Sequence, residues 1–216
     1  VGLLGKFVPE FGRIVAMMQF NMYHSFTVDE HTIQAIRTLA EIENRNLVED
    51  LPIASNILSG DINRRILYIS LLLHDLGKGL PEDHSIIGSQ IAGKLAPRFG
   101  LKREESEIVV WLVRNHLLMS DIAQKRDIAD SRTVRDFANQ VKSTAKLKLL
   151  TVLTVCDIRG VGPNAWNNWK AVLLRELYSQ TLSFLTEGSM SISKPEQIKT
   201  AKNLIVHQLD KNFALN

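Results

Sequence analysis

The sequence predicts an all-α fold, a helical bundle closed around a buried metal site, and three observations carry that expectation. Apolar residues recur at spacings of three and four nearly throughout, with no succession of alternating strands. Helix breakers are sparse, at 12 glycines and 6 prolines in 216 residues. The third observation is the pair His74-Asp75, which closes the apolar run Ile66-Leu67-Tyr68-Ile69-Ser70-Leu71-Leu72-Leu73 and is followed by Leu76-Gly77-Lys78-Gly79. A helix that apolar has to be buried, and burying an imidazole beside a carboxylate is costly unless something offsets their polarity. A metal ion does so, because neutral imidazole and carboxylate oxygen are both good ligands.

Each element has its own justification. Thr27-Val28-Asp29-Glu30 reads as a capping box, with Thr27 as N-cap and Glu30 reaching back. The helix it starts carries Val28, His31, Ala35, Leu39 and Ile42 on one face, so His31 points inward. A second helix runs from about Asn63 to Leu76 and stops at Gly77 or Gly79. His84, Ile87, Ile91 and Leu95 line the next, which ends near Pro97 and Gly100. Val109, Leu112 and His116 share a face of the helix after Leu101. Asp130 caps a helix reaching Val141, and Ser143 caps another in which Leu150, Leu153 and Asp157 align before Gly160. Asn164 begins a long amphipathic helix through Trp166, Trp169, Leu173, Leu177 and Leu182. After Gly188 the chain turns polar, and residues 189–216 read as a linker followed by an exit helix of about Glu196 to Lys211, leaving 1–188 as the main domain.

Composition narrows the function. The net charge of +3 suits an anionic substrate and is too weak to indicate nucleic-acid binding. A single cysteine, Cys156, rules out disulfides within the chain and Cys-based zinc modules. The apolar stretches are short of a membrane span and no secretory signal opens the chain, so a cytoplasmic setting with no membrane partner is expected. Because residue 1 is Val rather than Met, the chain reads as a fragment of something longer. H-E-x-x-H, C-x-x-C, P-loop, G-x-G-x-x-G and G-x-S-x-G patterns are all missing.

The candidate ligands are His31, His74, Asp75, His84, His116 and Asp157. Each alone has an ordinary explanation: His31 as a hydrogen-bonded core residue, His84 near an N-cap, His116 and Asp157 at helix ends. Their shared placement, on an inward stripe or at a helix end, is what ordinary explanations leave over. Lys78 follows the pair closely enough to reach an anionic phosphate. Trp166 and Trp169, three apart, read as one core or interface face rather than a base-stacking platform. His24 and His207 read as peripheral.

A histidine, a later His-Asp pair and a distant aspartate on helices resembles the HD superfamily of metal-dependent phosphohydrolases; here these are His31, His74-Asp75 and Asp157. His84 and His116 fall where two-metal members carry extra ligands. The flanking text is more specific. Met18 to His24 leading into Thr27-Val28-Asp29-Glu30-His31, Val110-Trp111-Leu112-Val113 with Asn115 to Ser120, and Thr154 to Arg159 resemble the bifunctional PII uridylyltransferase/uridylyl-removing enzymes. So do Trp166 to Lys170 and Leu173 to Tyr178, and the resemblance covers about residues 8 to 188. Such enzymes also carry a nucleotidyltransferase domain, marked by a Gly-Ser loop with paired aspartates. Neither Gly88-Ser89 nor Gly188-Ser189 fits that pattern, so this chain reads as the HD domain alone, expected to remove UMP but not to add it.

The resemblance implies a phosphoric diester hydrolase that releases UMP from a uridylylated tyrosine of the PII signalling protein, a reaction of nitrogen regulation. It implies one or two divalent ions, Mg²⁺ or Mn²⁺ favoured, held by the six residues, with Asp75 bridging if there are two. A bound ion lowers the pKa of water from about 16 to about 7. Asp75 and Lys78 are the catalytic candidates, Lys78 for the phosphate in the transition state. Two alternatives stay open from the residues: an HD hydrolase of a small nucleotide, and a non-catalytic helical interaction module.

Overall fold

The structure is a computed structural model and describes residues 2–18 and 25–186. The linker and exit helix expected over 189–216, together with His24 and His207, lie outside the described residues. Among the described residues there is no strand. In chain order the helices are α1 (Gly2–Phe7), α2 (Pro9–Ile14), α3 (Val28–Glu43), α4 (Pro52–Ser59), α5 (Arg64–Leu73) and α6 (His84–Leu95). After a 3₁₀ turn at Ala96–Phe99 come α7 (Arg103–Arg114), α8 (Leu118–Lys125), α9 (Ser131–Val141), α10 (Thr144–Val161) and α11 over 168–186.

The centre of the bundle is α10. Leu147, Leu149, Leu150, Val152, Leu153, Val155 and Cys156 are all buried, so the helix is apolar around its whole circumference and needs neighbours on every side. It packs against α3, α4, α5, α7, α8 and α9. The tightest approach is to α3, where a Cβ added at Gly160 would meet Ala35 and the His31 carbonyl at 3.0 Å. Phe11, Leu39, Leu67, Leu71, Leu112 and Phe137 complete the core at full burial, each contributing about 1.5–3 kcal/mol relative to exposure.

Several helix starts follow their caps. Asn63 Oδ1 accepts from the Ile66 N–H, Asp83 Oδ1 from Ser85 and Ile86, Asp130 Oδ1 from Arg132, and Ser143 Oγ from Lys146. The α3 start differs from the expected capping box. Thr27 holds the N-cap position without a side-chain bond, and Glu30 accepts from Gln34 Nε2 at 2.7 Å instead of reaching back. Asp29 accepts from the Ala16 N–H at 3.1 Å and ties α3 to the segment after α2. Near the C-terminal side, residues 163–165 form a turn and Asn167 Oδ1 accepts from the Lys170 N–H, so α11 begins four residues later than Asn164. That late start separates the two tryptophans: Trp166 packs on the core, while Trp169 is 57% exposed.

Candidate metal centre

Five helices deliver the six side chains to one place. His31 lies in the first turn of α3, and His74 and Asp75 occupy the turn after α5. His84 opens α6, His116 sits two residues past α7, and Asp157 is near the C-terminal end of α10. Helix α5 ends at Leu73 rather than Leu76, and the chain continues in tight turns through residue 79. Within them Leu76 N donates to Leu73 O at 3.3 Å and Lys78 N to Asp75 O at 3.0 Å. Gly79, at φ +78°, reverses the chain in the left-handed region that glycine tolerates best.

Two glycines bring α6 down onto this turn. A Cβ at Gly77 would lie 2.1 Å from the His84 carbonyl oxygen and 2.8 Å from Gly88 N. A Cβ at Gly88 would lie 3.3 Å from the His74 carbonyl. Backbone therefore meets backbone, and His84 is placed over Asp75 as a result.

Two of the imidazoles are oriented by the same device. His74 Nδ1 donates to Leu71 O and His116 Nδ1 to Val113 O, both at 2.7 Å. Each acceptor is a carbonyl three residues back at a helix end, where carbonyls lack intrahelical partners. Because a carbonyl can only accept, each Nδ1 carries a proton and each ring turns its Nε2 into the cluster.

The cluster is tight. His31 Nε2 lies 3.1 Å from both His74 Nε2 and Asp157 Oδ1. Asp75 Oδ2 lies 3.3 Å from His74 Nε2 and 3.5 Å from His31 Nε2, while its Oδ1 faces His116 Nε2 at 3.9 Å. The ligand atoms fall into two groups that could each hold an ion: His31, His74 and Asp157, and Asp75, His84 and His116. Within each, the atoms lie within 4.8 Å of one another. Lys78 Nζ approaches Asp75 Oδ2 at 2.6 Å. The sequence suggested Lys78 as a phosphate ligand; the structure pairs it with Asp75.

Buried acceptors facing one another are costly without a donor or a cation between them. Asp75 Oδ1 and His84 Nε2 are buried with no hydrogen-bond partner. Protonation reflects the same demand for positive charge. Burial disfavours the charged form of His74, yet Asp75 and Asp157 push it up to about 10. Burial also favours neutral carboxyls, but His74, Lys78 and His31 hold Asp75 well below the usual carboxylate range, and His31 and His74 do the same to Asp157. Burial and the neighbouring His74 lower His116. Two ionised carboxylates, inward-facing imidazole nitrogens and two unpartnered buried atoms fit a divalent cation, which competes with the proton for the same atoms.

Sequence reasoning missed the orienting carbonyls of Leu71 and Val113 and the Gly77–Gly88 contact. A histidine just past the end of an apolar helix is the signal for the first; the second has none, because it joins segments packed only in three dimensions.

The HD domain family matches residues 28–158. The chain is 63% identical over 211 residues to the bifunctional uridylyltransferase/uridylyl-removing enzyme of Cereibacter sphaeroides, covering 98% of this chain and 23% of that protein. It is 62% identical over 205 residues to the enzyme of the same description from Ruegeria pomeroyi, covering 95% of this chain and again 23% of the relative. The chain thus spans about a quarter of the length of these curated relatives. The family match runs from the first residue of α3 to Ile158, beside Asp157, and takes in all six clustered residues: the chain belongs to the HD domain family.

Proposed function

We propose that this chain is a metal-dependent phosphodiester hydrolase that removes UMP from a uridylylated tyrosine of the PII signalling protein. The observation that carries the reading is Asp75, whose two oxygens face different ligand groups. That arrangement suits a bridging carboxylate between two ions. The relatives' description as uridylyl-removing enzymes supports the substrate class. His31, His74 and Asp157 would hold one ion, His84 and His116 the other, and Asp75 both. Mg²⁺ or Mn²⁺ is our assignment, although so many imidazoles would also accept Zn²⁺, Fe²⁺ or Co²⁺. When bound, such ions supply Lewis acidity, acidify water and neutralise phosphoryl oxygens.

The chain's own groups do the rest. His31, His74 and Asp75 are almost wholly buried and would keep bulk water from that side of a bound phosphoryl group. Lys78, 18% exposed, keeps its ammonium on Asp75 and would donate to a phosphate oxygen as charge develops there. The leaving phenol has an ordinary pKa of about 10, so a strong general acid is not required. The reading places the chain in the cytoplasm, where the buried thiol of Cys156 stays reduced.

The test is direct. Uridylylated PII incubated with this polypeptide and Mn²⁺ should release UMP, chelation should stop the release, and added Mn²⁺ should restore it. Intact uridylylated PII in the presence of Mn²⁺ and folded protein would sink the proposal. For the two-ion assignment, His84→Ala and His116→Ala should each lower bound metal by about one equivalent, with a steep loss of activity. Wild-type protein saturating at one equivalent of Mn²⁺, matched by both variants, would show a mononuclear centre.

A further inference from the structure

Beside the metal centre lies a cleft of about 610 Å³, within the size range of small-molecule sites. Its floor is the C-terminal end of α10, at Val161 and Gly162. It is lined by Gln124 of α8, by Asn164 in the turn after α10, and by Trp169 and Lys170 in the first turn of α11. Val161 is one helical turn, about 5.4 Å, beyond Asp157 on the same face of α10. Asp157 is also the most exposed member of its ligand group, at 14% against 1% for His31 and 0% for His74. Ile158, the chain neighbour of Asp157, also lines the cleft.

An indole 57% exposed on a cleft wall is unusual, since tryptophan is normally mostly covered. It is not needed for packing: Trp166 joins the core and Trp169 does not. Three side-chain amides, from Gln124, Asn164 and Asn167, line the same cleft; Gln124 donates to Ser120 O and Asn167 accepts from the Lys170 N–H, and each keeps further donor and acceptor capacity. That combination is complementary to the edge of a pyrimidine base, which alternates carbonyl oxygens with an N–H.

We propose that this cleft is the nucleoside subsite: the base stacks on Trp169, the Gln124 and Asn164 amides meet its polar edge, and the ribose spans the turn between Val161 and Asp157. The inference rests on the phosphodiesterase reading above and extends it from the phosphate to the base. It takes the ligand to be a nucleoside monophosphate, free as product or esterified as substrate.

Stacking of a base on an aromatic side chain is worth about ten- to a hundredfold in affinity. In Mg²⁺ buffer, UMP should therefore bind about that much more tightly than ribose 5-phosphate, which has the phosphate and sugar but no base. Trp169→Ala should abolish the difference by weakening UMP alone, and Trp169→Phe should restore most of it. Circular dichroism on each variant checks that the helices are intact. Equal affinity of wild-type protein for UMP and ribose 5-phosphate would overturn the subsite, as would an advantage that survives Trp169→Ala. The two proposals fail separately. A base-dependent, Trp169-dependent affinity in protein that releases no UMP from uridylylated PII would uphold the subsite and sink the hydrolase reading. Release of UMP at rates indifferent to Trp169→Ala, with unchanged binding, would do the reverse.

Discussion

Asp75→Asn is expected to keep the helical fold while losing most bound metal and about three orders of magnitude of phosphodiesterase activity, the scale of removing one preorganised charge-stabilising group. Asn matches Asp in shape, so the packing of a residue 2% exposed need not change. What changes is the electronics. The amide keeps one weakly ligating oxygen, and its NH₂ has no lone pair to offer the other group. Either orientation leaves His116 or the His31–His74 pair facing a donor or a weak acceptor in place of a carboxylate oxygen. Lys78 loses its anionic partner as well. The measurements are metal content after gel filtration, the far-ultraviolet dichroism and the rate of UMP release. Wild-type activity in this variant would remove Asp75 from the centre of the site.

Gly77→Ala should be the most damaging single methyl in the molecule. Its Cβ would sit 2.1 Å from the His84 carbonyl oxygen and 2.9 Å from the carbonyl carbon. These are backbone atoms at the start of α6, so no side chain can rotate aside. Relief requires moving α6 away from the His74-Asp75 turn, at a cost of about 3 kcal/mol, the upper part of the range for overpacking. In a chain of this size that lowers Tm by roughly 6–12 °C. Because the displaced residue is His84, metal bound at its group should fall together with stability. Gly93→Ala is the matched control. It lies inside the same helix and its Cβ would make ordinary 3.6 Å contact with Val110, so it should be neutral or gain up to about 1 kcal/mol. Equal Tm for the two variants would show that the close approach at Gly77 does not hold α6 in place.

The bundle was readable because its main helices are long and periodic. Asp130 and Ser143 cap their helices as expected, and Asn63, expected as the approximate start of α5, proves to be its cap. The short helices were not readable: α1, α2, α4 and α8 run six to eight residues, too few turns for a stripe to stand out from chance spacing. At Thr27 the expected capping box gave way to two competitors, a tertiary contact that draws Asp29 to the Ala16 N–H and an i,i+4 pair within α3 that draws Glu30 to Gln34. A spacing of three predicts one shared face for Trp166 and Trp169. A turn at 163–165 and a helix starting at 168 put them in different environments instead.

The candidate site divides along the same line. By itself the sequence determined which residues could meet. Polar side chains stand out on apolar stripes, and burial of such residues forces them toward a common interior. That much is local periodicity and transfer free energy, and it named His31, His74, Asp75, His84, His116 and Asp157. Only the tertiary structure decided how they meet: that the six sort into two ligand groups, that Asp75 turns an oxygen to each, and that Lys78 sits on Asp75. These relations join helices up to 126 positions apart, from His31 to Asp157. They are set by the backbone contacts of Gly77 with α6 and of Gly160 with α3, approaches of a few ångströms that no one-dimensional spacing encodes.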